Sequence, residues 1–401
     1  MLSAPLQLVL ITFNMVAVYS NYNYNAAAEP ATQGVAKIRH YESLHTDPSM
    51  RLYHDPYAQY MYMGSFGQTW LGERRTLRIY DFIFKGLLEM ITLRTKWIDD
   101  EIMTAIEPQN TTGPSGSTTN TTNTAAIQQM IILGAGYDTR GFRLDLPDGF
   151  LVIEVDQPGV QKLKRKTMES IATTDETVAS RMKITTTKSE ENDTKRSSSG
   201  TSMVEFLEID FNKDSIGEKL LTINNDESSS SSSCAADTDS SSLLVFDRNK
   251  KTIVIFEGVT QYVPKTSTAS TLKQLHAILP SGSILLISYV PQDVFDDPIK
   301  CGPPGKINML LKGAEFVGEP WISSWTTTTD TTTSTPGAPG DDSDLGFDFK
   351  SFLYESGPYE YISDTTVEEL NDKYLVPRNR GLEKDTMVSI ERYVVAAVVK
   401  K

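Results

Sequence analysis

The sequence predicts an α/β protein in which a mostly parallel, doubly wound, Rossmann-like sheet carries a ligand at one edge. Short apolar or β-branched runs recur between helical stretches, which is typical of buried parallel strands. The first run, 130–133, stops at a turn containing Gly134 and Gly136, and the second, 150–155, ends on Asp156. Because parallel strands bring their carboxyl ends to one edge, we expect this turn and this carboxylate to lie together.

This pairing indicates a nucleotide-like ligand. Glycine lets the backbone approach a ligand closely, and a carboxylate after the second strand is placed to accept hydrogen bonds from two ribose hydroxyls. The dinucleotide fingerprint requires a third glycine, but Thr139 occupies that position and Asp138 would repel a pyrophosphate. The turn therefore favours a donor without phosphate, such as S-adenosylmethionine. A nicotinamide-dependent oxidoreductase is the alternative of another class.

Six segments, in the same order along the chain, resemble the leucine carboxyl methyltransferase family, which includes many bacterial S-adenosylmethionine-dependent O-methyltransferases. The resemblance covers about residue 36 to the carboxyl terminus. The segments are RLYHDPYA (51–58), LRTKWIDD (93–100), LGAGYDTRGFRLDLPDGFLVIEVDQP (133–158), FLEIDF (206–211), IVIFEGVTQYVP (253–264) and GEP (318–320).

The resemblance implies a class I methyltransferase fold, a seven-stranded sheet with an amino-terminal helical cap. It also implies methyl transfer from S-adenosylmethionine to a carboxylate or hydroxyl of a small molecule or protein. Methylation of the carboxyl-terminal leucine of a protein phosphatase is a narrower alternative, and a binding module without catalysis is another. Arg94, in the LRTKWIDD segment, is implied to pair with the donor's methionine carboxylate. By spacing alone, an ion pair with Asp99 or Glu101 is the other interpretation.

Each part of this donor has a candidate partner in the sequence. Gly134 and Gly136 allow close approach to its methionine end, and Asp156 takes the ribose hydroxyls. The other candidates are Asp210 for the adenine amino group, Phe211 for a face of the ring, Glu257 for the ammonium, and Tyr262 as the residue that orients the acceptor.

For the acids, a solvated position at a strand end is the competing interpretation, and for Tyr262 it is a packed aromatic. Arg140 and Arg143 either hold the loop or reach an anionic acceptor, and the sequence does not separate these roles.

The chain divides into three predicted regions. Residues 1–34 are expected to be a disordered head in a cytoplasmic protein, although the apolar run at 2–18 leaves a secretory signal as an alternative. Residues 35–107 have a helical pattern and form the cap, with 76–106 the longest periodic piece. The methyltransferase core, 108–401, is interrupted by disordered Ser/Thr-rich insertions near 108–124, 187–202, 224–242 and 325–344.

Within the core, five parallel strands are expected to precede a terminal hairpin-like pair. A helix is expected to begin near the glycine turn. Further predicted strands span 204–209, 252–256, 283–290, 359–362 and 390–399, and predicted helices span 266–279, 347–355 and 366–374.

Charge and composition exclude several classes of partner. The net charge of −14 argues against binding the phosphate backbone of nucleic acid. The densest basic patch, KLKRK at 162–166, is interpreted as a solvated helix face. The two cysteines and four histidines lack metal-ligand spacing, so no metal site is expected. The amino-terminal apolar run is too short and too polar for a stable membrane span.

Overall fold

The computed structural model describes residues 29–62, 84–107, 127–182, 202–222, 246–316, 318–327 and 348–400. Residues 1–28 of the predicted disordered head lie outside this set, and the prediction is wrong for its remaining residues, 29–34, which are helical. The four predicted insertions also lie outside it, apart from Ser202 and residues 325–327. In these described ranges, no helix has both the length and the apolar character that crossing a membrane requires.

One seven-stranded sheet forms the centre of the fold, in the order β3-β2-β1-β4-β5-β7-β6. The first five strands run parallel, and β7 pairs antiparallel with both β5 and β6. This confirms the predicted doubly wound class I methyltransferase plan. The strands are β1 (Gln129–Leu133), β2 (Leu151–Asp156), β3 (Met203–Glu208), β4 (Thr252–Phe256), β5 (Ile284–Tyr289), β6 (Tyr359–Thr365) and β7 (Arg392–Val398).

Helices cover both faces of the sheet. They are α1 (Glu29–Ser43), α2 (Leu87–Ile106), α3 (Arg140–Arg143), α4 (Pro158–Ala172), α5 (Glu176–Arg181), α6 (Ile216–Thr222), α7 (Lys265–Ile278), α8 (Asp293–Asp296), α9 (Pro304–Phe316), α10 (Phe349–Glu355) and α11 (Val367–Leu370). A π-helical turn (Asn371–Leu375) follows α11, and 3-10 turns occur at Ala58–Tyr60, Thr260–Tyr262, Pro298–Cys301 and Val376–Arg378.

The central strands are mostly apolar because both of their faces are covered. All five residues of β1 are buried. Met130 and Ile132 belong to the hydrophobic cluster that includes α2 and α4, whereas Ile131 and Leu133 belong to the cluster that includes α7 and α10. This alternation follows the two-residue period of a strand. It explains why β1 has a continuous apolar sequence instead of alternating polar and apolar residues.

The predicted helical pattern from 35 to 107 is wrong for residues 44–57, which are irregular apart from turns. Asp55 stabilises the turn at the carboxyl end of this stretch. Asp55 Oδ1 accepts hydrogen bonds from the backbone N–H groups of Tyr57 and Ala58, at 3.1 and 3.0 Å. An aspartate that bonds the backbone just after itself stabilises a turn at the expense of a helix. Of the longest periodic piece, 76–83 lies outside the described residues, and α2 occupies 87–106.

The interpretation of KLKRK as a fully solvated face is wrong for Lys164. This side chain is fully buried on α4, and its Nζ lies 2.5 Å from the equally buried Glu154 Oε2 on β2. Leu163, one position earlier, is 39% exposed. The tertiary contact with Glu154 therefore overrides the local charge pattern. Burial raises the pKa of Glu154 to about 7, against the opposing effect of Lys164.

Replacing Lys164 with methionine should destabilise the fold by about 3 kcal/mol at pH 8, because it leaves Glu154 buried without its cation. The loss should be smaller at pH 5. The folded-state pKa of Glu154 lies above its ordinary 4.5, so the stability this group contributes is present below pH 4.5 and is lost as pH rises through about 7. Urea unfolding at the two pH values measures this, and Lys166→Met on the exposed side of α4 is the control. Equal losses for both variants would contradict the prediction.

Candidate functional site

The carboxyl ends of β1, β2 and β4 meet at one edge of the sheet. Leu133 pairs with Val155 on one side and with Phe256 on the other. The residues that follow these three strands are therefore neighbours. The turn after β1 has positive φ at Gly134 (62°) and Gly136 (44°), a conformation that favours glycine.

Both glycines also lie in crowded positions. A Cβ at Gly134 would run into Val259, and a Cβ at Gly136 would lie 2.8 Å from Thr32 Cγ2 on α1. Helix α1 thus packs over the glycine turn and covers this edge.

Asp156 holds the glycine turn against β2. Its Oδ2 accepts a hydrogen bond from the Gly136 N–H at 2.5 Å, and its Oδ1 accepts one from the Gln157 N–H at 2.6 Å. Burial raises the pKa of Asp156, against these two hydrogen bonds. A carboxylate offers about four acceptor positions, so two remain for ribose hydroxyls.

Asp210 and Phe211 follow β3 beside the end of β2, where the Ile209 N–H donates to the Asp156 carbonyl at 2.8 Å. The Asp210 carboxylate is partly exposed and lies 2.8 Å from Lys213 Nζ. The Phe211 ring packs against Phe256, with ring centroids 5.9 Å apart. An acid and an aromatic face therefore lie next to the ribose candidate, in the arrangement expected for an adenine subsite.

Glu257, directly after β4, lies between two arginines. Its Oε1 accepts from Arg94 Nε at 2.7 Å, and its Oε2 accepts from Arg140 Nη1 at 2.6 Å. Burial works against ionisation, but the two guanidinium groups outweigh it and lower the pKa of Glu257. The side chain is ionised at neutral pH, and each oxygen keeps one acceptor position for a donor ammonium.

Arg140 holds the loop and does not reach an open space. Its side chain is 2% exposed, with Nε donating to Asp99 Oδ1 at 2.8 Å and Nη1 donating to Asp138 Oδ2 at 2.6 Å. Arg143 Nη2 also donates to Asp99 Oδ1, at 2.7 Å. The ambiguity that the sequence left for both arginines is thereby removed. Because Arg140 neutralises Asp138, that carboxylate is not a free negative charge facing a ligand.

Arg94 projects from α2 into the same edge. It pairs with neither Asp99 nor Glu101; its Nη1 instead donates to both oxygens of Glu391, at 2.8 and 2.7 Å. Glu391 immediately precedes β7 and was missed in the sequence, because its separation of 297 residues from Arg94 leaves no local signal. In the described part of the chain, Nη2 of Arg94 makes no hydrogen bond. One side of the guanidinium therefore remains for an anionic ligand.

Thr139 explains why this turn differs from a dinucleotide site. Its hydroxyl donates to Asp55 Oδ2 at 2.7 Å, and Arg39 on α1 bonds the same oxygen at 2.9 Å and also the carbonyl of Tyr137. Arg39, Asp55 and Thr139 were not predicted as site residues. The helix after the turn, α3, has only four residues, so it supplies no extended helix dipole for a pyrophosphate.

Tyr262 lies in the 3-10 turn that follows β4. Its ring meets Trp321 edge-on, with centroids 6.5 Å apart. Burial, reinforced by the charge of Glu319, raises the pKa of Tyr262 to about 12, so the phenol is neutral at physiological pH. Tyr262 is within electrostatic reach of Arg94 and Glu391, which places it near the Arg94 end of the site.

These groups fit S-adenosylmethionine part by part. The unpaired side of Arg94 suits its carboxylate, Glu257 its ammonium, Asp156 its ribose, and Asp210 with Phe211 its adenine. Within the residues that the structure describes, no cluster of three or more His, Cys, Asp or Glu side chains is arranged to hold a metal ion.

Comparisons with known proteins identify relatives of this chain. Two mycobacterial relatives are each named "Putative S-adenosyl-L-methionine-dependent methyltransferase". One, from Mycobacterium bovis, is 33% identical over 126 residues, which are 30% of this chain and 31% of the relative. The other, from Mycobacteroides abscessus, is 30% identical over 138 residues, which are 33% of this chain and 38% of the relative. The matched region thus spans about a third of either relative.

The structure of a DUF574 family protein from Streptomyces avermitilis has also been solved. Its alignment covers 91% of this chain and 97% of the solved chain, with a TM-score of 0.46 and 10% sequence identity. The model of the family described as leucine carboxyl methyltransferase matches residues 32–235, just over half of the chain. This range includes most of α1, Arg94, the glycine turn, Asp156 and Asp210. The chain belongs to the leucine carboxyl methyltransferase family.

Proposed function

We propose that this chain is an S-adenosylmethionine-dependent O-methyltransferase that transfers the methyl group to a carboxylate or hydroxyl of a small molecule or protein. The observation that carries the proposal is the distribution of charge along the sheet edge. A guanidinium with one unpaired side, an ionised carboxylate and a second acid beside a glycine turn lie in the order of the donor's own groups. Membership of the family and the names of the two mycobacterial relatives support the same donor.

The chemistry asks little of the protein beyond placement. Bound S-adenosylmethionine supplies a methyl group on a sulfonium, which is already an excellent leaving group. The protein's contribution is therefore to orient the reactants and to exclude water. Helix α1, packed over Gly136, serves the second purpose, and the buried network of Arg94, Glu257 and Arg140 serves the first.

Isothermal titration of the folded chain with S-adenosylmethionine tests the proposal directly. We expect binding in the micromolar range or tighter, and no binding of NAD at the same concentrations. Absence of donor binding at high micromolar concentration, with folding verified by circular dichroism, would refute the proposal. Binding of NAD alone would favour the oxidoreductase alternative.

The assignment of Arg94 to the donor carboxylate gives a sharper prediction. Arg94→Lys keeps a positive charge. However, a lysine lacks the planar guanidinium with which arginine can hydrogen-bond Glu257, Glu391 and a ligand at the same time. Affinity for S-adenosylmethionine should fall at least about tenfold, roughly 1.4 kcal/mol. Affinity for decarboxylated S-adenosylmethionine should change much less, because that ligand lacks the carboxylate that Arg94 is proposed to bind. Equal losses for both ligands, measured by titration, would contradict the assignment, and Lys96→Arg on the same helix is the control.

A further inference from the structure

The segment from 319 to 325 crosses the carboxyl ends of β4 and β5. The Ile322 N–H donates to the Gln261 carbonyl at 2.7 Å, and the Trp325 N–H donates to the Val290 carbonyl at 3.0 Å. The Ser323 hydroxyl donates to the Val263 carbonyl at 2.7 Å. These bonds fix the segment beside the 3-10 turn that carries Tyr262, at the Arg94 end of the donor site.

One acceptor of this segment is buried without a partner. Glu319 Oε1 makes no hydrogen bond within the described residues, and Glu319 forms no ion pair there. The Trp321 N–H interacts with the Tyr262 side chain and lowers its pKa. Buried polar atoms are satisfied in the large majority of cases, so the Glu319 oxygen indicates a missing donor, such as the hydroxyl of a ligand.

Burial sets the protonation of Glu319. It raises the pKa of this carboxyl to about 7. The titratable group that interacts with it is Tyr262, whose own pKa is raised to about 12 by burial first and by Glu319 next, so Tyr262 stays neutral. Glu391 also raises the pKa of Tyr262, and Arg94 lowers it. A carboxylate half-ionised near neutral pH is well matched to the work of a general base.

We propose that Glu319 is the general base for a neutral hydroxyl acceptor bound beside the Tyr262 ring. This inference rests on the proposed function and narrows it to alcohols or phenols. A carboxylate acceptor needs no base, and its negative charge would be repelled by an ionised Glu319. The unpaired carboxylate is therefore useful for one acceptor class and harmful for the other.

In the proposed step, Glu319 takes the hydroxyl proton while the acceptor oxygen forms a bond to the methyl carbon of S-adenosylmethionine. The bond between that carbon and sulfur breaks, and its electron pair goes to sulfur, giving S-adenosylhomocysteine. Glu319 then releases the proton to solvent. The products are a methyl ether, S-adenosylhomocysteine and one proton.

The test uses the full-length chain, S-adenosylmethionine labelled in its methyl group, and a cell extract as the source of acceptors. Alkali releases the label from methyl esters as methanol and leaves methyl ethers intact. We expect alkali-stable label, formed at a rate that rises with pH through about 7. Glu319→Gln should lower that rate at least about a hundredfold. Glu315→Gln, on the exposed side of α9, should leave it unchanged.

Alkali-labile label, or an undiminished rate in Glu319→Gln, would overturn the inference. If no acceptor in the extract is methylated, the pKa of Glu319 is measured directly. The chemical shift of its side-chain carboxyl carbon is recorded by NMR against pH, and the spectrum of Glu319→Gln assigns the signal. A midpoint near 7 supports the inference, and a midpoint near the ordinary 4.5 overturns it. Donor binding is measured separately. If only the general-base proposal is wrong, the chain still binds S-adenosylmethionine. If the proposed methyltransferase function is wrong, it does not.

Discussion

Replacing Asp156 with alanine should weaken binding of S-adenosylmethionine about a hundredfold. The carboxylate is assigned to both ribose hydroxyls, and two charge-assisted hydrogen bonds in a partly buried pocket together contribute on the order of 3 kcal/mol. Titration calorimetry of the folded variant measures the loss. The exposed Asp148, in the turn before the same strand, provides the matched control as Asp148→Ala.

The structure adds a consequence for stability. Asp156 also accepts the Gly136 and Gln157 N–H groups, so the alanine variant should lose about 1–2 kcal/mol of unfolding free energy. Asp156→Asn keeps an acceptor for Gly136 but removes the charge, and it should recover part of the stability and little of the affinity. If the Asp156 and Asp148 variants bound the donor equally well, this edge would not be the donor site.

Replacing Arg140 with methionine should destabilise the fold by about 5 kcal/mol, the largest loss that we expect from a single substitution. The guanidinium is 2% exposed, and its removal would leave Asp99, Asp138 and Glu257 buried beside an apolar side chain. Arg140→Lys keeps the charge but not the planar fork and should lose about half as much. Urea unfolding at pH 7 measures both.

Arg165→Met is the control for Arg140→Met, because the Arg165 guanidinium lies at the surface over the Phe206 ring, 5.0 Å from its centroid. Its loss should stay below about 1 kcal/mol. If both variants lost a similar free energy of unfolding, the buried ion pairs of Arg140 would contribute no more to stability than an exposed arginine does, and the prediction would be wrong.

Acid should narrow the difference between Arg140→Met and the wild type. Despite burial, the arginines lower the pKa of Glu257 below its ordinary 4.5, so the stability it contributes is present above that pH and is lost as pH falls through the folded-state pKa. In the variant, the carboxylates that have lost Arg140 take up protons more easily. Protonation at low pH removes their buried charge and so recovers part of the lost unfolding free energy.

The sheet and the ribose candidate were predictable from the sequence because their signals are local. A buried parallel strand needs a continuous apolar run, and the residue after it must lie at the carboxyl edge. The runs at 130–133 and 150–155 therefore fixed the places of Gly134, Gly136 and Asp156 without any knowledge of distant residues. The terminal antiparallel pair followed from its order after the fifth strand.

Side-chain pairing was not predictable in this way, because a counterion can come from any part of the chain. Arg94 pairs with Glu391, 297 residues away, instead of with the nearby Asp99. Lys164 looked solvated from its neighbours but is buried against Glu154. Local charge patterns describe the surface of an isolated helix, whereas burial depends on what the folded chain packs against it.

The sequence by itself determined the α/β plan, the edge of the sheet at which we propose that the donor binds, and the family to which the chain belongs. Only the tertiary structure decided which charged side chains pair with one another inside the site and which remain available to a ligand. Arg140 pairs with three buried carboxylates, whereas Arg94 Nη2 and Glu319 Oε1 make no hydrogen bond to any residue that the structure describes. The physical reason is that backbone geometry follows from local sequence, but the neutralisation of a buried charge is settled by contacts between residues far apart in the chain.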